Sequence, residues 1–234
     1  MSNDWARRIS QFEAAQVRHA DDPLPGQAAF RYRPGTRPVL ISAPHGAYHW
    51  RQDYWKRPDG YTAALAHVLA EDTGAHALYT VRRIRPDPNF EDDSEYKRML
   101  ARLLRQRHIR LVLDLHGASP EREFALALGT MDGQSCPNYE AIIIQTFREQ
   151  AFAPDHNHAL DRLAVNPLHF KGGTLQHTVT RFVWEQCRVN AAQVELNAYL
   201  RVVRSDAVNT STFAPDPIRQ RRAITALINI IMTV

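Results

Sequence analysis

Two histidines stand in matching settings. Pro44-His45-Gly46 follows the apolar run Val39–Ala43, and Leu115-His116-Gly117 closes a run that begins at Ile109. A third cluster, Gln193-Val194-Glu195-Leu196-Asn197, alternates polar with apolar, which puts Gln193, Glu195 and Asn197 on one face of a strand. Imidazole nitrogens with a carboxylate suit a divalent cation, Zn²⁺ above others. A hydrolytic zinc takes three protein ligands and keeps one position open for water. His45 and His116 supply two ligands for one such ion, and the third is an acid between them in the chain. Asp59 is the first choice, with Asp53 and His49 as alternatives. Asp59 also fits a plain helix N-cap, because the helical spacing of Tyr61, Leu65, Val68 and Leu69 begins just after it. His45 and His49 have HxxxH spacing, but the pair follows a strand, where helical geometry is not expected. Asp114, two residues before His116, is placed to hold a histidine ring through its second nitrogen. The glycine after each histidine removes bulk where a substrate would approach.

These residues need strands to carry them. Strands are expected over 39–43, 76–81, 109–115, 124–128, 163–165 and 191–196. Helical stripes separate them: Tyr61 to a stop at Gly74; Tyr96, Met99, Leu100, Leu103 and Leu104 behind an N-cap at Ser94; 139–152; Leu175, Val179, Phe182 and Val183; and a final helix opened by Asp216-Pro217. Strands alternating with helices give an α/β chain with a mostly parallel or mixed sheet covered on both faces, and such sheets place their sites beyond the carboxyl ends of the strands. Residues 1–36 read as a peripheral segment of a single domain spanning 1–234, with a turn cluster at Asp21-Asp22-Pro23-Leu24-Pro25-Gly26.

Composition narrows the class. Hydrophobic residues at 44% and charged residues at 23% exclude a disordered chain. The formal charge of +4 is a small imbalance that does not call for nucleic acid. No run approaches a membrane span, and Met1 to Phe12 lacks the apolar core of a secretory signal, so a cytoplasmic protein with reduced Cys136 and Cys187 is expected. Neither cysteine has a basic partner that would make it a nucleophile. Asp155-His156-Asn157-His158 is a rival metal cluster, but it follows Pro154 in a polar stretch and reads as a solvated loop. Nothing in the sequence fixes an oligomeric state.

In order, Pro44-His45-Gly46, Asp114-Leu115-His116-Gly117, Leu126-Ala127-Leu128-Gly129-Thr130, Gly172-Gly173 and Gln193-Val194-Glu195-Leu196-Asn197 resemble the N-formylglutamate amidohydrolase family, across roughly residues 38–201. The resemblance implies a three-layer α/β/α fold of the zinc exopeptidase (phosphorylase/hydrolase-like) kind and a metal-dependent hydrolase of amides carrying a nearby carboxylate. It implies His45, Asp59 and His116 as metal ligands and Glu195 as general base. The chain departs from the family in lacking an arginine directly after Asn197 and another in the Asp87-Pro88-Asn89 segment, both at substrate contacts. A guanidinium or ammonium is then expected to hold the small-molecule substrate's carboxylate. Arg122, just past the His116 strand, is the first candidate, with Arg83 and Lys171 as others. Asn89 and Asn197 are candidates for hydrogen bonds to substrate. The rival readings are a zinc exopeptidase acting on short peptides and a non-catalytic binding module on the same scaffold.

Overall fold

The computed structural model describes residues 4–174, 176–203 and 214–234. Among the described residues nine strands form: β1 (Phe30–Arg33), β2 (Val39–Ala43), β3 (His49–Arg51), β4 (Tyr54–Lys56), β5 (His76–Thr80), β6 (Leu111–Ala118), β7 (Leu126–Gly129), β8 (Leu163–Val165) and β9 (Asn190–Asn197). Seven of them build one sheet in the order β1-β5-β2-β6-β9-β7-β8, and β3 with β4 makes a separate hairpin. The middle strands β5, β2, β6 and β9 run parallel, while β1 against β5 and β7 against β9 are antiparallel.

Helices cover both faces, giving three layers. On one side α1 (Trp5–Gln16), α2 (Thr62–Thr73), α4 (Glu140–Glu149) and α7 (Pro217–Thr233) pack over Val39, Ile41, Leu111, Leu113, Ala192 and Val194. On the other, α3 (Glu95–Gln106) and α5 (Val179–Cys187) bury Leu100, Leu103, Val179 and Val183 against Leu40, Val112 and Ala191. The two-residue period of each strand thus feeds two cores. A short α6 (Ala198–Arg201) follows β9 directly.

Helix ends form where the sequence signals them. Gly74 ends α2 in the left-handed region (φ 75°), the Ser94 side chain accepts from the Lys97 N–H, and Asp216 caps α7 with Pro217 in the first turn. Two strand features differ from expectation. The strand from Leu111 runs on through His116 to Ala118, because β9 pairs with it residue for residue as far as Asn197. The hairpin was not expected: its turn residues Gln52 and Asp53 both take positive φ (49° and 66°) without the glycine that usually marks such a turn. The helix expected to begin at Leu175 starts at Val179 behind the N-cap Thr178, and Leu175 lies outside the described residues. Residues 30–33 supply the β1 edge, and α1 packs on α2. Among the described residues no helix is long and apolar enough to cross a membrane.

The register assembles a polar patch. Ser42 sits beside Asp114, Asp114 beside Gln193, and His116 beside Glu195, all on the α3/α5 side near the carboxyl ends of the parallel strands.

Candidate metal centre and its cleft

The loop after β2 turns His45 toward the end of β6, and the loop before α2 brings Asp59 between the two histidines. Asp59 Oδ2 lies 3.5 Å from His45 Nδ1 and 3.2 Å from His116 Nδ1. Four ligands placed tetrahedrally at ~2.0–2.1 Å from a zinc ion would stand about 3.3 Å apart, so the separations fit that donor set. The carboxylate of Asp59 is not spent on the helix: the N-cap position is Tyr61, with no side-chain cap bond, and Thr62 bonds only the Asp59 carbonyl. The Asp59 loop is held on both flanks. Its N–H donates to the His45 carbonyl (2.8 Å), and the Tyr61 N–H donates to Glu13 Oε1 (2.8 Å), which brings α1 into the support of the site. His19 extends that support, bridging Glu13 (3.2 Å) and the Gly46 carbonyl (3.0 Å).

Each histidine is backed by its own buried carboxylate. His45 Nε2 pairs with Asp87 Oδ1 (2.8 Å) and His116 Nε2 with Asp114 Oδ2 (3.2 Å), so both Nδ1 atoms face Asp59; in a neutral ring that keeps its proton on Nε2, Nδ1 is the atom offered to a metal. Asp114 is fixed in turn by Ser42 Oγ (2.8 Å), and Asp87 by Arg51 Nε (2.6 Å) and the Asn89 N–H (2.8 Å). A second donor group, His45, His49 and Asp87, also comes close together. There the His45–Asp87 contact is already a hydrogen bond, and the Arg51 guanidinium occupies the other Asp87 oxygen, so a cation is opposed at that point. His49 stacks flat on His45 (3.7 Å between centroids) and its Nε2 lies 3.7 Å from Asp87, not beside Asp59. Burial and the neighbouring His45 push the His49 imidazole down to about 3. Asp53 is exposed in the hairpin turn.

Charge in this centre is shared between two imidazoles and the buried carboxylates around them. Burial opposes ionisation of Asp59, but hydrogen bonds from His116 and His45 hold its carboxyl well below the usual range. Burial likewise opposes protonation of His116 and His45, yet Asp114 and Asp87 with Asp59 lift them, His116 well above its ordinary value. Glu195, 6% exposed on the neighbouring strand, accepts from Gln193 Nε2 (2.8 Å). Burial, reinforced by Asp59, pushes its carboxyl up to about 7 against the opposing pull of His116.

These groups open into a cleft of about 240 Å³ that also carries Arg51, Lys56, Arg57, Asn89, Leu168 and Lys171. Several chosen contacts are placed elsewhere. Arg122 stacks over Phe170 (5.1 Å) and does not line the cleft, because the chain after β6 turns its side chain outward. Arg83 is taken by Asp22 and lies over Trp55 (5.0 Å). Asn197 is fully buried and structural: its Nδ2 bonds the Arg122 and Phe124 carbonyls and its Oδ1 caps Tyr199. Lys171 does line the cleft, paired with Asp132 (2.9 Å), and Asn89 lines it while its Oδ1 accepts the Val179 N–H (2.8 Å). The glycines after the histidines have a steric cause beyond the one expected, and Gly117 also lines the cleft. A Cβ on Gly46 would sit 2.5 Å from the Thr80 carbonyl oxygen, and one on Gly117 would sit 2.5 Å from Arg201 Cζ. Residues 155–158 are exposed loop, and both cysteines are free, with burial pushing the Cys136 thiol up to about 12.

No family profile and no curated protein matches the chain. Solved structures do. An N-formylglutamate amidohydrolase from Ralstonia eutropha JMP134 matches with TM-score 0.58 at 14% identity, over 89% of this chain and 98% of that one. A gene product of Agrobacterium tumefaciens matches with TM-score 0.55 at 12% identity, over 92% and 97%. A succinylglutamate desuccinylase from Chromobacterium violaceum matches with TM-score 0.51 at 14% identity, over 96% and 73%. The chain shares the α/β fold of these structures. Within that fold, sequence reasoning missed Asp87, Arg51, Lys56 and Arg57. Asp87-Pro88-Asn89 reads as turn chemistry, and the other three ride on a hairpin with no turn signal.

Proposed function

We propose that the chain is a zinc-dependent amidohydrolase that cleaves the amide bond of a small carboxylate-bearing substrate, an N-acyl amino acid of the N-formylglutamate kind. One observation carries the reading: His45 Nδ1, His116 Nδ1 and Asp59 Oδ2 converge, each imidazole backed by a buried carboxylate, with Glu195 beside them. The fold shared with an N-formylglutamate amidohydrolase and a succinylglutamate desuccinylase supports amide hydrolysis. One zinc ion per chain, held by His45, Asp59 and His116, supplies Lewis-acid polarisation of the amide carbonyl and acidification of water when bound.

The chain's own residues do the rest. Gln193 holds Glu195 through Oε1 and leaves Oε2 to take a proton from the attacking water and pass it to the leaving nitrogen, a transfer that contributes about 10²–10⁴-fold. Lys56, Arg57 and Lys171 on the cleft wall attract and orient the substrate carboxylate, the task first assigned to Arg122 and Arg83. The thiols of Cys136 and Cys187 are reduced bystanders, in keeping with a cytoplasmic enzyme.

Metal analysis of purified protein is expected to give one zinc per chain in the wild type and none in folded His116→Ala. N-acyl amino acids are hydrolysed, and their carboxamides are at least roughly tenfold poorer substrates. Equal zinc in the two proteins overturns the metal assignment. No preference for the free carboxylate overturns the substrate class and favours the peptidase reading.

A further inference from the structure

Arg201, in α6, is 7% exposed, and its guanidinium lies against the backbone of Gly117 at the end of β6. It donates from Nη1 to the Gly60 carbonyl (2.5 Å), from Nε to the Leu196 carbonyl (3.3 Å) and from Nη2 to the Ala118 carbonyl (3.4 Å). Those carbonyls follow Asp59 by one residue, Glu195 by one and His116 by two. β6 and β9 are already joined in the sheet, but the Asp59 loop is in no sheet, and Arg201 fastens it to both. Gly117 keeps the space this requires, since a Cβ there would lie 2.5 Å from Arg201 Cζ. The charges that offset the buried guanidinium are Asp59, Glu195 and Glu13.

We infer that Arg201 is a positioning residue for the metal centre, locking the segments that carry Asp59, His116 and Glu195 into one rigid unit. The inference rests on the metallohydrolase reading above. The chemistry explains why the residue is arginine: a planar fork with five donors that keeps its charge spans three carbonyls in fixed directions, whereas a lysine ammonium is a single point. Support of this kind behind a ligand set typically controls metal affinity by about 10–100-fold.

The test is zinc affinity, measured by chelator competition on the full chain for wild type, Arg201→Lys, Gly117→Ala and Arg219→Lys. Gly117→Ala keeps the arginine and displaces its guanidinium. Arg219→Lys weakens the pairs that Arg219 makes with Asp161 and Asp216, none of them lining the cleft, and reports general loosening of the fold. Arg201→Lys and Gly117→Ala are each expected to lose at least about tenfold in zinc affinity, while Arg219→Lys loses thermal stability and keeps wild-type affinity. Wild-type affinity in either folded Arg201→Lys or Gly117→Ala overturns the inference, as does an Arg219→Lys loss equal to theirs. If Arg201→Lys does not fold, Gly117→Ala decides alone. A wild type that binds no zinc overturns both the proposed function and this inference; a wild type that binds zinc with all variants unchanged overturns the inference only.

Discussion

The floor and the rim of the cleft are held by different means. The floor hangs from β2, β6 and β9 in the middle of the sheet, and buried partners fix its side chains: Asp87 for His45, Asp114 for His116, Gln193 for Glu195. The rim on one side is the β3–β4 hairpin, two strands of three residues each, too small to stand alone. Backbone bonds between Trp50 and both Ile84 and Asp87 tie it down, and aromatic and guanidinium stacking covers it: Trp50 meets Trp55 edge-on at 5.3 Å, and Arg85 lies over both rings at 3.7 and 4.7 Å. Arg51 and His49 join the two regions, Arg51 bonding Asp87 and His49 stacking on His45. The contrast follows from what each region must do. On the proposed function, the metal-ligand atoms of the floor need placement to a fraction of an ångström, whereas the rim cations act through a field that tolerates looser geometry.

The sharpest test of the floor is Glu195→Gln. The amide keeps shape and the contact with Gln193 but does not take a proton from water at neutral pH. Turnover is expected to fall about 10²–10⁴-fold with zinc content and thermal stability retained. Turnover within a few-fold of wild type would remove Glu195 from the chemistry, and a collapse of stability would make it a structural acid.

Asp87→Asn probes the joint. Asparagine still accepts from His45 through its oxygen but loses the charge that Arg51 and the imidazole share. Zinc affinity is expected to drop about 10–100-fold. An unchanged affinity would detach Asp87 from the floor and make it part of the hairpin's support.

If His45 and His116 hold the proposed zinc, protons compete with it for the same nitrogens. The metal-free pKa values of His45 and His116 are raised above 6.5 by their carboxylates. That part of the stability is fully present below the unfolded value and is lost as pH rises through the folded values. Metal-free protein therefore weakens as pH rises, while zinc, which must displace those protons, binds more tightly by up to about tenfold per pH unit for each proton released. The gap in melting temperature between zinc-loaded and metal-free protein should widen as pH rises across neutrality. A gap independent of pH would show that the histidines are not the groups the metal displaces.

The same division explains what was legible in the sequence. His116, Asp114 and Glu195 follow from a two-residue period on buried strands, where register leaves little freedom, and His45 from its place at the end of one. Asp59 was legible only as an acid in the right interval, because its position depends on a loop that Glu13 and Arg201 hold from distant parts of the chain. Gly117 was legible in part: it lines the cleft, but the space a Cβ would take belongs to a guanidinium that the spacing did not reveal. The cations were hardest. Arg122 is close to the site along the chain and stacks on Phe170 of the cleft wall, yet it is exposed and does not itself line the cleft, while Arg57 and Lys56 arrive with a hairpin whose turn is built from Gln52 and Asp53. Spacing does not encode which way a surface arginine turns.

Arg85→Ala tests whether the rim is separable from the floor, and its effect is the smallest. The substitution removes two guanidinium–indole contacts from a half-exposed hairpin, each worth ~0.5–1 kcal/mol at most in such a setting. In a chain of this size the melting temperature should fall by only about 2–4 °C. The loosened hairpin presents Lys56 and Arg57 less firmly, so KM for a carboxylate substrate rises a few-fold while kcat and zinc affinity hold. Arg85→Lys refines the reading, because an ammonium retains the charge but lacks the planar face that stacks on Trp50. If lysine restores KM, charge alone holds the hairpin; if it behaves like alanine, stacking does. A fall in zinc affinity for Arg85→Ala comparable to that of Asp87→Asn would show that hairpin and floor move as one body, and the distinction between them would have to be abandoned.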